Sequence, residues 1–267
     1  MGASLEKLYL ILIRIMKYMG SKNKISKDIK EILDLNRTDL NQPYYEPMCG
    51  GCNMLDEMKG KRFASDNNKY LIALWQGLQQ DLERPKKITR QMYDNAKKDF
   101  KNDTNLIYNN FLIGYIGFLS SFNGKFFNGF IGGLFDGRYK NKSFYFKCAI
   151  DNINAQFEYL KDVIFILSDY INIDYVKNSV IYFDIPYFDA TKYKTGSFDY
   201  DKFYAFAEEK SKQGHKVFIS EYWMPEDRFT KIWSKQIKSN LSNQTQNKIE
   251  SLFIPKNQTI KQHKTLF

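Results

Sequence analysis

Tyr44-Tyr-Glu-Pro-Met-Cys-Gly-Gly-Cys-Asn53 is the stretch on which the fold turns. It opens as a strand, breaks at two adjacent glycines, and runs on into a helical pattern over residues 53–58. Such a turn lets the backbone come close to a ligand, and in doubly wound sheets the cleft at the carboxyl ends of the strands takes nucleotide-like cofactors. Asp66 follows Glu46 by twenty residues and ends the next strand-like run. A carboxylate there can accept both hydroxyls of a ribose, so the spacing suits an adenosyl group. Cys49-Gly-Gly-Cys52 also spells a Cys-x-x-Cys pair, but Cys148, His215 and His263 lack paired metal-ligand spacing. Two small packing thiols are expected, with no metal.

Outward from this stretch, strand-like runs at residues 43–46, 61–65, 163–167, 179–183 and 216–220 alternate with helical patterns at 26–35, 53–58, 69–80 and 200–211. Alternation of that kind predicts an α/β sheet. Val163-Ile-Phe-Ile-Leu167 reads as a strand buried on both faces. Between about residues 80 and 159 the alternation lapses into a helical, aromatic-rich stretch. Its glycine-rich part, residues 122–133, is expected to be a shaped loop more than a core element. The expected organisation is an extension over 1–15, a sheet domain from 16–79 and 160–267, and an insertion over 80–159.

With 267 residues, 43% hydrophobic and 26% charged, the chain has ample material for a core, which excludes a disulfide-stapled miniprotein. Its 40 basic and 30 acidic residues give a formal charge of +10, which favours an anionic partner. From Arg228 onward there are eight Lys or Arg residues and one acid, Glu250, so this region is a candidate for contact with a phosphate backbone. Three cysteines cannot form a fully paired framework, which points to a reducing compartment, the cytoplasm by default. The apolar run at residues 8–13 is too short to span a membrane.

A second constellation is Ser179-Val-Ile-Tyr-Phe-Asp-Ile-Pro-Tyr187, a strand stopping at an acid that is followed by proline and an aromatic ring. With Asp66 and Asp169 also expected at strand ends, three carboxylates would share one edge of the sheet and imply a polar cleft. Asp184-Ile-Pro-Tyr187 resembles the Asp-Pro-Pro-Tyr signature of the amino-methyltransferases, and Glu46-Pro-Met-Cys-Gly-Gly51 resembles their methyl-donor loop. The resemblance is to the Dam-like adenine-N6 DNA methyltransferases, phage-type members in particular, and extends over nearly the whole chain from Met16. Lys17-Tyr-Met-Gly-Ser-Lys22 is similar to the family's N-terminal motif, Ser168-Asp-Tyr170 to its acid-aromatic pair, and Phe218-Ile-Ser-Glu-Tyr222 to its next core strand. Thr191, Tyr193, Phe198, Asp199 and Phe203 follow the family pattern after Tyr187. The order of the motifs is that of the α group, whose target-recognition region occupies such an insertion. Two residues depart from the pattern: Ile185 replaces the first proline, and Cys52 stands where many members have a further glycine.

The resemblance implies a Rossmann-like class I methyltransferase sheet with a mostly helical insertion. It implies S-adenosylmethionine as donor, S-adenosylhomocysteine as product, and double-stranded DNA as partner to a monomer or weak dimer. Catalysis would fall to Asp184, Ile185, Pro186 and Tyr187. The cofactor would be held by Tyr18, Lys22, Glu46, Pro47, Met48, Gly50, Asp66, Asp169 and Tyr170, with Lys22 at its carboxylate. Lys125, Arg138, Lys140 and Lys142 of the insertion are the expected DNA contacts. Adenine N6 is a poor nucleophile, and acceptors for its two hydrogens, the Asp184 carboxylate and the Ile185 carbonyl, would favour a pyramidal nitrogen. Cytosine-N4 methylation, an RNA substrate, or a relative that binds DNA without turnover are the competing readings. The cytosine branch usually carries Ser where this chain has Asp184.

Overall fold

The computed structural model describes residues 15–131, 142–187, 198–239 and 246–261. In chain order the elements are α1 (Ser26–Asn36), β1 (Tyr44–Pro47), β2 (Arg62–Asp66), α2 (Lys69–Gln79), α3 (Arg90–Asn102), α4 (Asn110–Leu119), α5 (Lys142–Phe157), β3 (Ile164–Leu167), β4 (Val180–Asp184), α6 (Tyr200–Lys212), β5 (Lys216–Glu221), β6 (Phe229–Ser239) and β7 (Gln246–Pro255). They fall into two compact units: residues 1–21, 50–56 and 68–167, and residues 22–49, 57–67 and 168–267. The first unit therefore takes in α2 and β3 together with the insertion.

In the second unit the strand order is β2-β1-β4-β5-β7-β6. The β1–β2, β1–β4 and β4–β5 pairs are parallel, whereas β7 is antiparallel to both β5 and β6. Every residue of β1 and the first four of β4 are buried. Helices are expected on both faces of strands so buried, which is why Tyr44-Tyr and Val180-Ile-Tyr-Phe read as continuous apolar runs. Helix α1 buries Ile29, Ile32, Leu33 and Asn36, the stripe that a 3.6-residue period puts on one face. Helix α6 starts at Asp199, whose carboxylate accepts the Lys202 N–H. Register sets Pro47 opposite Ser65 and Asp184 opposite Ser220, so the carboxyl ends of β1, β2, β4 and β5 face the same way. The chain leaves β1 toward β2 on one side and reaches β4 on the other, the arrangement that opens a crevice.

In the first unit Asn68 caps α2 through the N–H groups of Tyr70 and Leu71. The side-chain amides of Gln76 and Gln79 donate to the carbonyls of Phe165 and Val163 at 2.9 and 2.8 Å, and Trp75 lies parallel to Phe165. Strand β3 is not buried on both faces as its sequence predicts: Ile164 is 47% and Leu167 54% exposed. An apolar run by itself does not distinguish a central strand from one covered on a single side. The expected helix at 53–58 is also replaced by turns. Cys52 has a positive φ of 58°, Asn53 turns its amide back to the Gly51 carbonyl, and six residues are too few to sustain a helix.

The glycine-rich part of the insertion contributes to the core, contrary to expectation. Phe126 and Phe127 pack among Tyr93, Phe100 and Phe118, with centroids 4.4–5.4 Å apart. Gly124 permits this turn: its φ is +67°, and a Cβ there would lie 1.9 Å from the Lys17 carbonyl oxygen. The basic stretch after Arg228 forms the β6–β7 hairpin, which buries Trp233, Leu252, Phe253 and Ile254. Its scattered lysines hid those strands from the sequence reading.

Candidate active site

Acids gather at the carboxyl ends of the parallel strands in the second unit. Glu46 is buried on β1 and accepts the Tyr44 hydroxyl at 3.3 Å; Asp66 ends β2 and Asp184 ends β4. Pro47 is buried and passes the chain to Met48, whose φ of 62° is unusual for a residue with a side chain. The Cys49 N–H then bonds the Ser65 carbonyl at 2.9 Å, tying the loop after β1 to β2. The Ser168 N–H bonds the Asp66 carbonyl at 3.2 Å, which brings the next acid near. Asp169 lies two residues beyond β3 rather than at its end, and its carboxylate caps a short 3-10 turn through the Ile171 N–H. Tyr170 follows and packs edge-on against Phe183, Phe203 and Phe206.

At the end of β4 four side chains meet. The buried Lys22 ammonium lies 2.9 Å from Asp184 Oδ1 and 3.5 Å from Glu250 Oε2, and it also donates to the Tyr187 hydroxyl. That hydroxyl donates to Glu250 Oε1 at 2.6 Å, and the Tyr187 ring stacks on Tyr222 with centroids 4.0 Å apart. Burial raises the Asp184 carboxyl above its ordinary value, with the nearby Lys22 charge opposing it and the Glu250 charge adding to it. Burial also works against the Lys22 ammonium, but Asp184 and Glu250 outweigh it, and its pKa stands above the usual lysine value. Tyr187 is pushed up by burial and then by both carboxylates, so it remains a phenol. Tyr222 rises to about 12, chiefly through burial. Ile185 is buried, while Pro186 is exposed with its carbonyl accepting the Tyr200 hydroxyl at 2.7 Å.

The sequence singled out Lys22, Asp184 and Tyr187 without foreseeing that they touch one another; it assigned Lys22 to a ligand carboxylate. Glu250 and the stacking of Tyr222 on Tyr187 were missed. The available signal was the lone acid of a basic region, set in the strand-like run Ile249-Glu-Ser-Leu-Phe-Ile254.

Tyr18 and Gly50 belong to the first unit and meet there. Gly50 has a φ of +47°, and a Cβ on it would come within 2.8 Å of the Tyr18 ring. Gln156 braces the same turn: its amide donates to the Gly51 carbonyl at 2.8 Å, and its oxygen accepts the Met16 N–H at 2.9 Å. Lys125 is half-buried in the 122–131 turn. Arg138 and Lys140 lie outside the described residues, as do Thr191 and Tyr193, and Lys142 is described only as the first backbone position of α5. Among the described residues no group of three or more His, Cys, Asp or Glu is placed to hold a metal ion. No helix among them is long and apolar enough to cross a membrane.

A mostly parallel α/β sheet that changes direction at β1 and β4, with antiparallel β7 inserted between β5 and β6 and an Asp-x-Pro-Tyr turn at the end of β4, defines a Rossmann-like methyltransferase. The family model of the D12 class N6 adenine-specific DNA methyltransferases matches residues 18–249, and the chain belongs to that family. It is a DNA adenine-N6 methyltransferase. Solved structures similar to the chain include the rRNA methyltransferase aviRa from Streptomyces viridochromogenes, at 10% identity and a TM-score of 0.39, covering 87% of this chain and 84% of that one. A search of curated proteins gave no significant match.

Proposed function

We propose that the enzyme transfers a methyl group from S-adenosylmethionine to a flipped-out adenine in double-stranded DNA, at the carboxyl end of β4, in the manner of the Dam-like α group. The observation that carries this reading is the Asp184 carboxylate, set at a parallel strand end beside one buried ammonium. Asp184 and the Ile185 carbonyl accept the two N6 hydrogens, drawing the nitrogen toward sp3 geometry as its lone pair attacks and stabilising the positive charge that develops. Lys22 favours the ionised form of Asp184, the form that can accept. The Tyr187 ring, flanked by Tyr222 and by the Lys22 ammonium 4.3 Å from its centroid, supplies the aromatic surface against which the extruded base packs, a contact worth about 1–3 kcal/mol against the cost of unstacking.

The strand ends fit the donor. Glu46 and Asp66 lie on adjacent strands, Met48 turns the chain between them, and the Ser168 contact to β2 brings Asp169 and Tyr170 alongside. Acid side chains so grouped offer acceptors to ribose hydroxyls and an adenine amine. When bound, S-adenosylmethionine supplies an electrophilic sulfonium methyl and leaves as S-adenosylhomocysteine. Lys125 and its basic neighbours in the insertion are assigned to DNA contact, and a soluble cytoplasmic setting suits that substrate.

Incubation of purified enzyme with labelled S-adenosylmethionine and duplex DNA tests the reading. N6-methyladenine is the expected product, and Asp184→Asn lowers its formation by about 100–1000-fold while the variant stays folded. Label in cytosine, or near-normal turnover by Asp184→Asn, overturns it.

A further inference from the structure

Glu250 is a buried acid that hydrogen bonding to adenine does not itself require. It sits on β7 opposite Lys235 of β6, but the Lys235 ammonium pairs with Asp28 at 2.7 Å. Its carboxylate turns to the end of β4. Oε1 accepts the Tyr187 hydroxyl, and Oε2 has no hydrogen bond among the described residues and lies 3.5 Å from Lys22 Nζ. One ammonium is thus shared between two carboxylates, Asp184 at 2.9 Å and Glu250. A second buried charge is a poor device for stability alone, because desolvation offsets most of the attraction it gains. It does fix geometry: an ammonium held from two sides, and a phenol held through its oxygen, leave the Asp184 carboxylate little freedom to rotate.

We propose that Glu250 is a positioning residue for adenine methylation, acting through Lys22 and Tyr187 to set the orientation and charge of Asp184. The inference rests on the reading of Asp184 as the N6 acceptor. The surrounding groups are accounted for: on β4, Tyr182 shares a hydrogen bond with Ser220 of β5 at 2.7 Å. On β1, Glu46 accepts from Tyr44. Beyond β5, the Glu221 side chain accepts the Tyr222 N–H, and Lys248 lies 4.9 Å above the Tyr222 ring. Among these Glu250 is the carboxylate that opposes ionisation of Asp184, and it competes with Asp184 for Lys22.

Glu250→Gln, which keeps the shape and removes the charge, is the test. The variant is expected to lose kcat on the order of 10- to 100-fold with KM for S-adenosylmethionine unchanged, because a loosened acceptor misaligns the reacting nitrogen. The acid limb of its kcat profile moves to lower pH, since Asp184 then has Lys22 to itself. Glu250→Asp retains the charge and returns the limb to its wild-type position with part of the rate. A folded Glu250→Gln with wild-type kcat and an unmoved limb overturns the proposal. If Glu250→Gln does not fold, Glu250→Asp decides: reduced kcat with an unmoved limb supports the proposal, and wild-type kcat overturns it. Asp184→Asn in the same assay separates the two readings: its inactivity beside an unaffected Glu250→Gln rejects the role of Glu250 alone, whereas its near-normal turnover rejects the site.

Discussion

Asp99 in the first unit and Asp184 in the second are both removed from much of the solvent, and their surroundings move their acidities in opposite directions. Asp99 is 2% exposed at the end of α3 and accepts the N–H groups of Ile107 and Tyr108, each at 2.9 Å, and the Thr104 hydroxyl at 3.1 Å. Desolvation opposes its charge, but these donors outweigh desolvation and its pKa falls below the ordinary 3.8. Asp184 gains one ammonium, desolvation prevails, and its pKa rises. A carboxylate that closes a loop is surrounded by donors until no lone pair needs another partner. A carboxylate meant to accept from a substrate must be left short of donors, at a cost in stability, and only the second kind is available for chemistry.

Replacing Lys22 should have the largest effect, because it removes the single cation that the second case depends on. Lys22→Met leaves Asp184 and Glu250 side by side without a cation, and chemical denaturation is expected to show a loss of about 3–5 kcal/mol. Methylation should fall too, with the acid limb of its pH profile displaced upward; an unmoved limb would show that Lys22 does not tune Asp184.

Asp99→Ala comes next and sharpens the comparison from the other side. Leaving buried donors unsatisfied costs about 1–3 kcal/mol, read in the unfolding of the purified variant, with the chemistry at Asp184 untouched. The sign of the pH dependence is fixed. Because the folded pKa of Asp99 is depressed, its contribution is complete above the unfolded value and is lost as pH falls through the folded one. Wild-type and Asp99→Ala melting temperatures therefore draw together as pH falls below the ordinary value of 3.8; a difference that stays constant as pH falls through that region contradicts the assignment.

The smallest effect is expected at Asp66, a third carboxylate at a strand end. If it belongs to the ligand-facing kind, Asp66→Ala weakens binding of S-adenosylhomocysteine by about 1–3 kcal/mol in calorimetry and leaves the melting temperature of the free protein near wild type. Unchanged affinity with a lowered melting temperature would place Asp66 with Asp99 instead.

The sheet was legible where the chemistry of the strands is one-sided. The runs at 43–46, 61–65, 179–183 and 216–220 lie within a residue of observed strands, because each holds three or more consecutive buried residues flanked by polar or turn residues. It was missed at β6, where Lys231, Lys235 and Lys238 and several exposed polar residues leave little periodicity to read, and at β7, where the buried run Glu250–Pro255 was read only as part of a basic region. For the same reason Glu250 read as an exception within a basic region rather than as a buried member of the site. In the insertion, glycine and asparagine at 123–129 signalled a loop correctly, but the neighbouring Phe126 and Phe127 are drawn into the core by aromatic partners contributed from α3 and α4.

By itself the sequence determined the α/β class, the order of the motifs and the residue types that the chemistry requires, since glycine turns, strand-ending acids and hydrophobic periods are local properties of a chain. Only the tertiary structure decided that Lys22 answers to Asp184, that Tyr187 is held through its hydroxyl, and that an acid 66 residues downstream of Asp184 lies within reach of Lys22. Those facts depend on which strands become neighbours. Strand order is settled by burying apolar surface across the whole molecule, a balance that no stretch of sequence records alone.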